Sequence, residues 1–112
     1  KGPEYDLEST REAIRYCEDF IALYPKNKEI GTIEVLYQRM LNALATNRVL
    51  LADYYYFNKR DNVAAIIFYN EAITIAPNSQ AAIEAQERLD AIEIGIRPTT
   101  GRNIIKKLFF IK

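Results

Sequence analysis

The side chains that most often perform chemistry are scarce in this sequence. It contains no histidine, which is the commonest general base and metal ligand. The single cysteine, Cys17, lies among apolar residues at helical spacing, which indicates a small buried side chain rather than a reactive thiol. The acidic pair Glu18–Asp19 and the carboxylates between Glu84 and Glu93 are typical of solvated helix faces. With no glycine-rich phosphate loop either, we predict that the chain is not an enzyme and holds no cofactor or metal.

Charge is distributed unevenly along the chain, although the formal net charge is zero. Residues 1–96 contain ten Lys/Arg and fifteen Asp/Glu, a balance of −5, whereas residues 97–112 contain five Lys/Arg and no acid, a balance of +5. This pattern argues against broad nucleic-acid binding by the body of the chain. The apolar share of 49% and the charged share of 27% are typical of a folded domain. No stretch of 18 consecutive apolar residues is present to span a membrane.

Apolar residues at steps of three and four predict helices through residues 6–95. A first helix runs from Asp6 to Tyr24, is capped by Ser9 or Thr10, and is stopped by Pro25. Its apolar face consists of Ala13, Tyr16, Cys17, Phe20, Ile21 and Tyr24.

A long helical segment follows over residues 28–58. It contains one glycine and no proline, which favours one helix over two helices broken near residues 45–47. Its apolar stripe, which Arg48 interrupts, consists of Ile33, Tyr37, Met40, Leu44, Leu51 and Tyr55.

Two further helices are predicted after the polar turn at residues 59–62. The third, Val63 to Ala76, is capped by Asp61 or Asn62 and is apolar almost all round, so we expect neighbours on more than one side. The fourth, ending at Ile94 before Gly95, is capped by Asn78 or Ser79. Its predicted apolar face consists of Ala82, Ala85, Leu89 and Ile92.

An internal repeat is the most specific pattern in the chain. A helix pair ends in Ala-x3-aromatic-x2-Ala-x4-Pro at Ala65, Tyr69, Ala72 and Pro77, with Tyr56 nine residues before the first alanine. The small residues allow two helices to approach closely, the aromatic ring fills the next turn, and proline ends the helix. The upstream copy with this spacing is less regular and consists of Ala13, Cys17, Phe20 and Pro25.

This spacing resembles the tetratricopeptide repeat. The resemblance implies an all-α fold of antiparallel helix-turn-helix repeats stacked as a short α-solenoid, here with one unusually long helix. The two prolines are 52 residues apart, whereas a standard repeat has about 34 residues. We expect residues 1–95 to form the repeat domain and residues 96–112 to form a basic, apolar C-terminal tail.

Several short segments resemble the C-terminal half of the BamD (ComL-like) family, the outer-membrane assembly lipoproteins of Gram-negative bacteria. These segments are residues 11–14, 23–27, 51–56, 63–66 and 76–79, and the likeness covers roughly residues 6–95. It implies a scaffold at the periplasmic face of the outer membrane that docks onto the barrel-forming subunit and accessory lipoproteins. The chain would be the C-terminal part of a longer protein, and the lipid anchor would lie outside it.

Two positions depart from that family. Arg60 stands where a glycine is usual in the turn before the last repeat helix, and Phe68 stands where the family has an arginine that contacts the barrel partner. A generic tetratricopeptide adaptor in the cytoplasm, which binds a peptide or partner protein, is the alternative function. The start of the full-length protein separates the two, since a signal peptide with a lipidated cysteine belongs only to the first.

Candidate partner-binding residues come from three places in the sequence. Tyr54, Phe57 and Asn58 fall where repeat grooves usually contact ligands, whereas Tyr55 and Tyr56 are assigned to the core. Ile67 and Phe68 either pack under the long helix or face a partner. The tail contributes Lys106, Lys107, Phe109 and Phe110, and it either caps the last helix, binds an acidic partner, or touches anionic lipid.

Overall fold

The described part of the chain, residues 6–95 of a computed structural model, is helical and contains no strand. Its elements are α1 (Leu7–Leu23), α2 (Ile30–Asp53), a π-helix (Tyr54–Lys59), α3 (Asn62–Ile75) and α4 (Gln80–Glu93). The prediction of an all-helical fold is confirmed for these residues, as is a helical segment that continues unbroken past residues 45–47. None of the helices between residues 6 and 95 has both the length and the apolar character needed to cross a membrane. The tail residues Lys106, Lys107, Phe109 and Phe110 lie outside the described residues.

The chain divides into two compact units, Lys1–Leu44 and Ala45–Lys112. In the first unit, α1 begins at Leu7 because Asp6 caps it. The Asp6 carboxylate accepts hydrogen bonds from the Ser9 amide at 3.1 Å and from the Ser9 hydroxyl at 2.7 Å. The predicted caps at Ser9 or Thr10 are therefore wrong, and the same Ser9 hydrogen bonds hold the pKa of Asp6 below its usual value.

The buried side of α1 is narrower than the sequence pattern predicted. Ile14 and Cys17 are buried, which confirms Cys17 as a core residue. Tyr16 and Tyr24, which were predicted on the apolar face, are 71% and 54% exposed. Tyr16 lies about 100° around the helix from Cys17, and Tyr24 follows the last residue of α1. The Tyr37 hydroxyl donates to the Glu18 carboxylate at 3.0 Å and joins α2 to α1.

The core of the second unit is built from residues at steps of three and four on each helix. The buried apolar residues are Ala45, Val49, Ala52 and Tyr56 before the turn, Ala65, Tyr69, Ala72 and Ala76 on or directly after α3, and Ala81, Ala82, Ala85 and Ala91 on α4. The many alanines let the helix backbones approach closely, and the two tyrosine rings fill the remaining space, meeting edge to face at 6.5 Å. The repeat positions Tyr56, Ala65, Tyr69 and Ala72 have no exposed surface, so their assignment to the core is confirmed.

The ends of α3 and α4 follow from local capping. The Asp61 carboxylate accepts from the Ala64 amide, and the Ser79 hydroxyl accepts from the Ala82 amide, each at 3.1 Å. Asp61 and Ser79 are thus the caps, rather than the alternatives Asn62 and Asn78. Gly95 adopts a φ of +84° directly beyond α4, as expected for a residue that ends a helix.

One predicted helix face is wrong in part. On α4, Arg88 is buried whereas Leu89 and Ile92 are only half-buried. The reason is that Arg88 makes its ion pair inside the unit, which brings the Arg88 side of α4 inward. On α3, Val63 is 71% exposed and Ile67 is 53% exposed.

Candidate functional site

The π-helix contains all four consecutive aromatic residues, Tyr54 to Phe57. It ends at Arg60, which has a left-handed φ of 53°, and the Arg60 and Asp61 amides both donate to the Tyr55 carbonyl. A π turn holds more residues than an α turn, so residues three and four apart are no longer neighbours on one face. The π-helix therefore distributes the four aromatic side chains among different neighbours. Short π segments are frequent at functional sites.

Three of the aromatic rings form a contiguous set that we call the aromatic ladder: Tyr54, Tyr55 and Phe68. The rings of Tyr54 and Tyr55 meet edge to face with centroids 5.4 Å apart, and Tyr55 stacks on Phe68 at 5.6 Å with 21° between the planes. Each end of the ladder carries a cation. The Lys59 ammonium lies 5.8 Å from the Tyr54 centroid, and the Arg48 guanidinium lies 5.4 Å from the Phe68 centroid.

Arg48 is held in place from two sides. Its Nη2 and Nε donate to Asn47 Oδ1 at 2.6 and 3.1 Å, and its Nη1 lies 3.4 Å from Glu71 Oε1. Arg48 is only 8% exposed. The sequence pattern predicted that it would interrupt the apolar stripe of α2, but it is buried as part of that stripe. These polar contacts compensate its charge and fix the guanidinium over Phe68.

Exposure increases from Phe68 towards Tyr54. Phe68 and Tyr55 are half-buried, and Tyr54 is 44% exposed. Leu50, one turn before Tyr54, is also exposed. On α3, Ile67 is exposed, whereas its sequence neighbour Phe68 is half-buried. The sequence had left open whether these two residues pack inside the protein or face a partner.

Phe57 belongs to a different set of contacts from Tyr54. Its ring lies 4.8 Å from the ring of Tyr56 and 6.0 Å from the Arg88 guanidinium. Asn58 is exposed. Of the candidate residues predicted from the sequence, the structure thus brings Tyr54 and Phe68 together through Tyr55, whereas Phe57 contacts the network around Arg88.

A buried polar network beneath Phe57 was missed by the sequence analysis. Arg88 Nε donates to Asp53 Oδ1 at 3.1 Å, the Tyr69 hydroxyl donates to the same oxygen, and Arg88 Nη1 donates to the Glu84 carbonyl at 3.2 Å. The network joins α2, α3 and α4. Burial, followed by the hydrogen bond to Asp53, raises the pKa of Tyr69 far above its usual value.

A signal for this network was present in the sequence. Arg88 stands three residues after Ala85 and three before Ala91, and Asp53 stands between the buried Ala52 and Tyr56. Opposite charges on the buried stripes of two helices indicate an internal ion pair, because an isolated charge is rarely buried.

The candidate site consists of aromatic rings, the cations beside them and a buried polar network. Across residues 6–95, no group of three or more His, Cys, Asp or Glu side chains is placed to hold a metal ion. Comparisons with protein-family models, with curated proteins and with solved structures find no match for this chain. The indications of function are therefore the side chains that the fold exposes and those that it fixes in place.

Proposed function

We propose that this chain is a protein–protein interaction scaffold of tetratricopeptide-like helix pairs whose binding surface is centred on the aromatic ladder. The observation that carries the proposal is the exposed ring of Tyr54, which contacts the Tyr55 ring and has the Lys59 ammonium 5.8 Å from its centroid. Tyrosine is enriched among the residues that dominate protein interfaces, since it combines a large apolar ring with a polar hydroxyl.

The ladder is suited to binding because much of it is already ordered. Immobilising a flexible side chain at an interface costs about 0.5–1.5 kcal/mol. The Tyr54 ring contacts Tyr55, and the Phe68 ring stacks on Tyr55 and lies under the Arg48 guanidinium. Binding of a partner would therefore cost little side-chain entropy at these two residues. Leu50 and Ile67 add exposed apolar surface, and Lys59 supplies the charge expected at an interface rim.

The more specific proposal is a role in outer-membrane β-barrel assembly. It is supported by the likeness over roughly residues 6–95 and by the burial of Tyr56, Ala65, Tyr69 and Ala72, the positions where a repeat needs small and aromatic residues. The full-length protein would be lipid-anchored at the periplasmic face of the outer membrane. Its partners would be the periplasmic domains of the barrel-forming subunit and accessory lipoproteins, with no nucleic acid and no membrane contact beyond the anchor.

The position of Phe68 changes how docking would occur. Where the family has an arginine, this chain has a phenyl ring stacked on Tyr55 and covered by the guanidinium of Arg48. Arg48 is itself engaged by Asn47 and Glu71. We therefore expect the partner to meet an apolar, aromatic surface here in place of a free arginine.

The test is a calorimetric titration of the native full-length protein with the barrel-forming subunit's periplasmic domains from the same genome. Replacing Tyr54 and Ile67 by alanine should weaken binding by at least about 30-fold, the loss expected when anchors worth about 2 kcal/mol are removed. The matched control is alanine at Tyr16 and Val35, which are 71% and 57% exposed in the first unit and should leave the affinity unchanged.

Three results would contradict parts of this proposal. Equal loss of affinity in both double variants would remove the ladder as the binding surface. Absence of binding by the native protein would refute the barrel-assembly role. A full-length sequence that starts without a signal peptide and a lipidated cysteine would also refute the barrel-assembly role. The cytoplasmic adaptor would then be the function to test.

A further inference from the structure

The exposed end of the aromatic ladder combines apolar surface with a cation. Tyr54 is 44% exposed, and Leu50, four residues earlier, is 59% exposed. The Lys59 ammonium lies 5.8 Å from the centroid of the Tyr54 ring, and Lys59 is itself exposed. A group that packs against the Tyr54 ring therefore comes within reach of the Lys59 charge.

The two cations of the ladder differ in whether their charge is compensated. Arg48, at the inner end, is buried and pairs with Glu71 at 3.4 Å. Lys59 forms no ion pair in the described part of the chain, and neither does Arg60, which follows it in the exposed turn. The positive charge that a ligand can use is therefore at the Tyr54 end of the ladder.

The carboxylates closest to this turn in the sequence are already engaged by the fold. Asp53 accepts from Arg88 at 3.1 Å in the buried network. Asp61 accepts from the Ala64 amide at 3.1 Å and caps α3, where it faces the positive end of the helix dipole. An anion from outside the chain can therefore approach Lys59 without breaking an ion pair.

The ligand that complements this surface carries a negative charge beside an apolar group. Nucleic acids are disfavoured, because residues 1–96 contain ten Lys/Arg and fifteen Asp/Glu, a balance of −5 that repels a polyanion. Anionic membranes are recognised by clusters of about four to eight basic residues, whereas two adjacent ones stand in this turn. A protein segment with an acidic residue next to an aromatic or aliphatic one supplies both the charge and the apolar surface.

We propose that the ladder binds a partner segment in which an Asp or Glu adjoins an apolar side chain. The apolar side chain packs on Tyr54 and Leu50, and the carboxylate pairs with Lys59. The inference rests on the scaffold function proposed above and adds the chemistry of its partner. An exposed ion pair changes affinity by only up to about fivefold, so the apolar contact supplies most of the affinity and the charge selects the partner.

The test starts with a selection from a phage library of random linear peptides on the immobilised full chain. Peptides retained by the wild type are then sorted by whether they still bind Tyr54→Ala. We expect the peptides that require Tyr54 to carry an Asp or Glu beside an aromatic or aliphatic residue. The same selection on Lys59→Glu should yield a Lys or Arg in that place, because the variant reverses the charge beside the ring.

Fluorescence anisotropy of one selected peptide then isolates the charge. Lys59→Glu should weaken binding about tenfold, since it replaces an attraction by a repulsion of similar size. Lys59→Arg keeps the cation and should stay within about twofold of wild type. The same peptide with its acidic residue changed to lysine should bind Lys59→Glu about tenfold more tightly than wild type, a reversal that damage to the fold cannot produce. Both differences should shrink as salt is added.

The matched control is Lys26→Glu, which reverses an exposed lysine of the first unit and should leave the affinity unchanged. Selected peptides that require Tyr54 but have no acidic preference would overturn this inference and leave the scaffold function standing. Peptides that bind Tyr54→Ala as tightly as wild type would refute the ladder as the binding surface. A library that yields no bound peptide would overturn the inference, as would a dimer in analytical ultracentrifugation that Tyr54→Ala dissociates, since the occupant would then be a second copy.

Discussion

Arg88→Met tests whether the buried polar network stabilises the second unit. Methionine keeps an unbranched side chain near Phe57 but removes the guanidinium that compensates the Asp53 carboxylate. Removing one partner of a buried ion pair costs about 3–5 kcal/mol. The Asp53 side chain retains 17% exposure, so water solvates it in part and we expect the lower end, about 3 kcal/mol. That loss is a large part of the 5–15 kcal/mol typical of a domain.

The assay is urea denaturation followed by circular dichroism, with the exposed Arg39→Met as the matched control. A variant that replaces all three network members, with Asp53→Leu, Tyr69→Phe and Arg88→Met, should recover most of the lost free energy of unfolding. The triple variant removes all three polar groups together, so none of them remains buried without a partner. The reasoning is refuted if Arg88→Met unfolds within about 0.5 kcal/mol of the control, or if the triple variant is no more stable than Arg88→Met alone.

The turn and the buried tyrosine give two further predictions. Arg60→Gly should raise the free energy of unfolding by up to about 1 kcal/mol, because a non-glycine residue is strained at φ 53°. Lys59→Gly, inside the π-helix, should lower the free energy of unfolding by a similar amount. Thermal melts that show both variants equally destabilised would contradict this prediction. Because the pKa of Tyr69 is raised, the folded state keeps a proton that the unfolded state loses above about pH 10. The free energy of unfolding is therefore highest below pH 10 and falls by up to about 1.4 kcal/mol for each pH unit above it. Tyr69→Phe should remove that part of the slope in urea midpoints between pH 9 and 11, and an unchanged slope would show that the hydroxyl is not involved.

Features that depend on neighbouring residues were predictable. The helices follow from apolar steps of three and four. The caps at Asp61 and Ser79 were each narrowed to two neighbouring residues, and the structure selects the one whose side chain reaches the amide three residues on. Tyr56, Ala65, Tyr69 and Ala72 were recognisable as core because a regular spacing of small and aromatic residues has few other uses. Asp6 was missed as a cap because several polar residues at the start of α1 compete for that place.

The candidate site was predictable only in part. Tyr54 and Phe68 were named from the sequence, but Tyr55, which connects them, was assigned to the core and not to the candidate site. The π-helix was not foreseen, since no periodicity rule distinguishes a six-residue π segment from the end of an α-helix. Without it, Tyr54 and Phe57 would be expected to share one face.

The sequence by itself determined that most of residues 6–95 are helical, where most of the helices end, and that Tyr56, Ala65, Tyr69 and Ala72 are buried. Only the tertiary structure decided which charged residues enter the core and which aromatic rings meet. Asp53 and Arg88 are 35 residues apart, and the stack of Tyr55 on Phe68 crosses a turn. Periodicity specifies the side of a helix that is buried, but the partner that covers that side depends on how the helices pack.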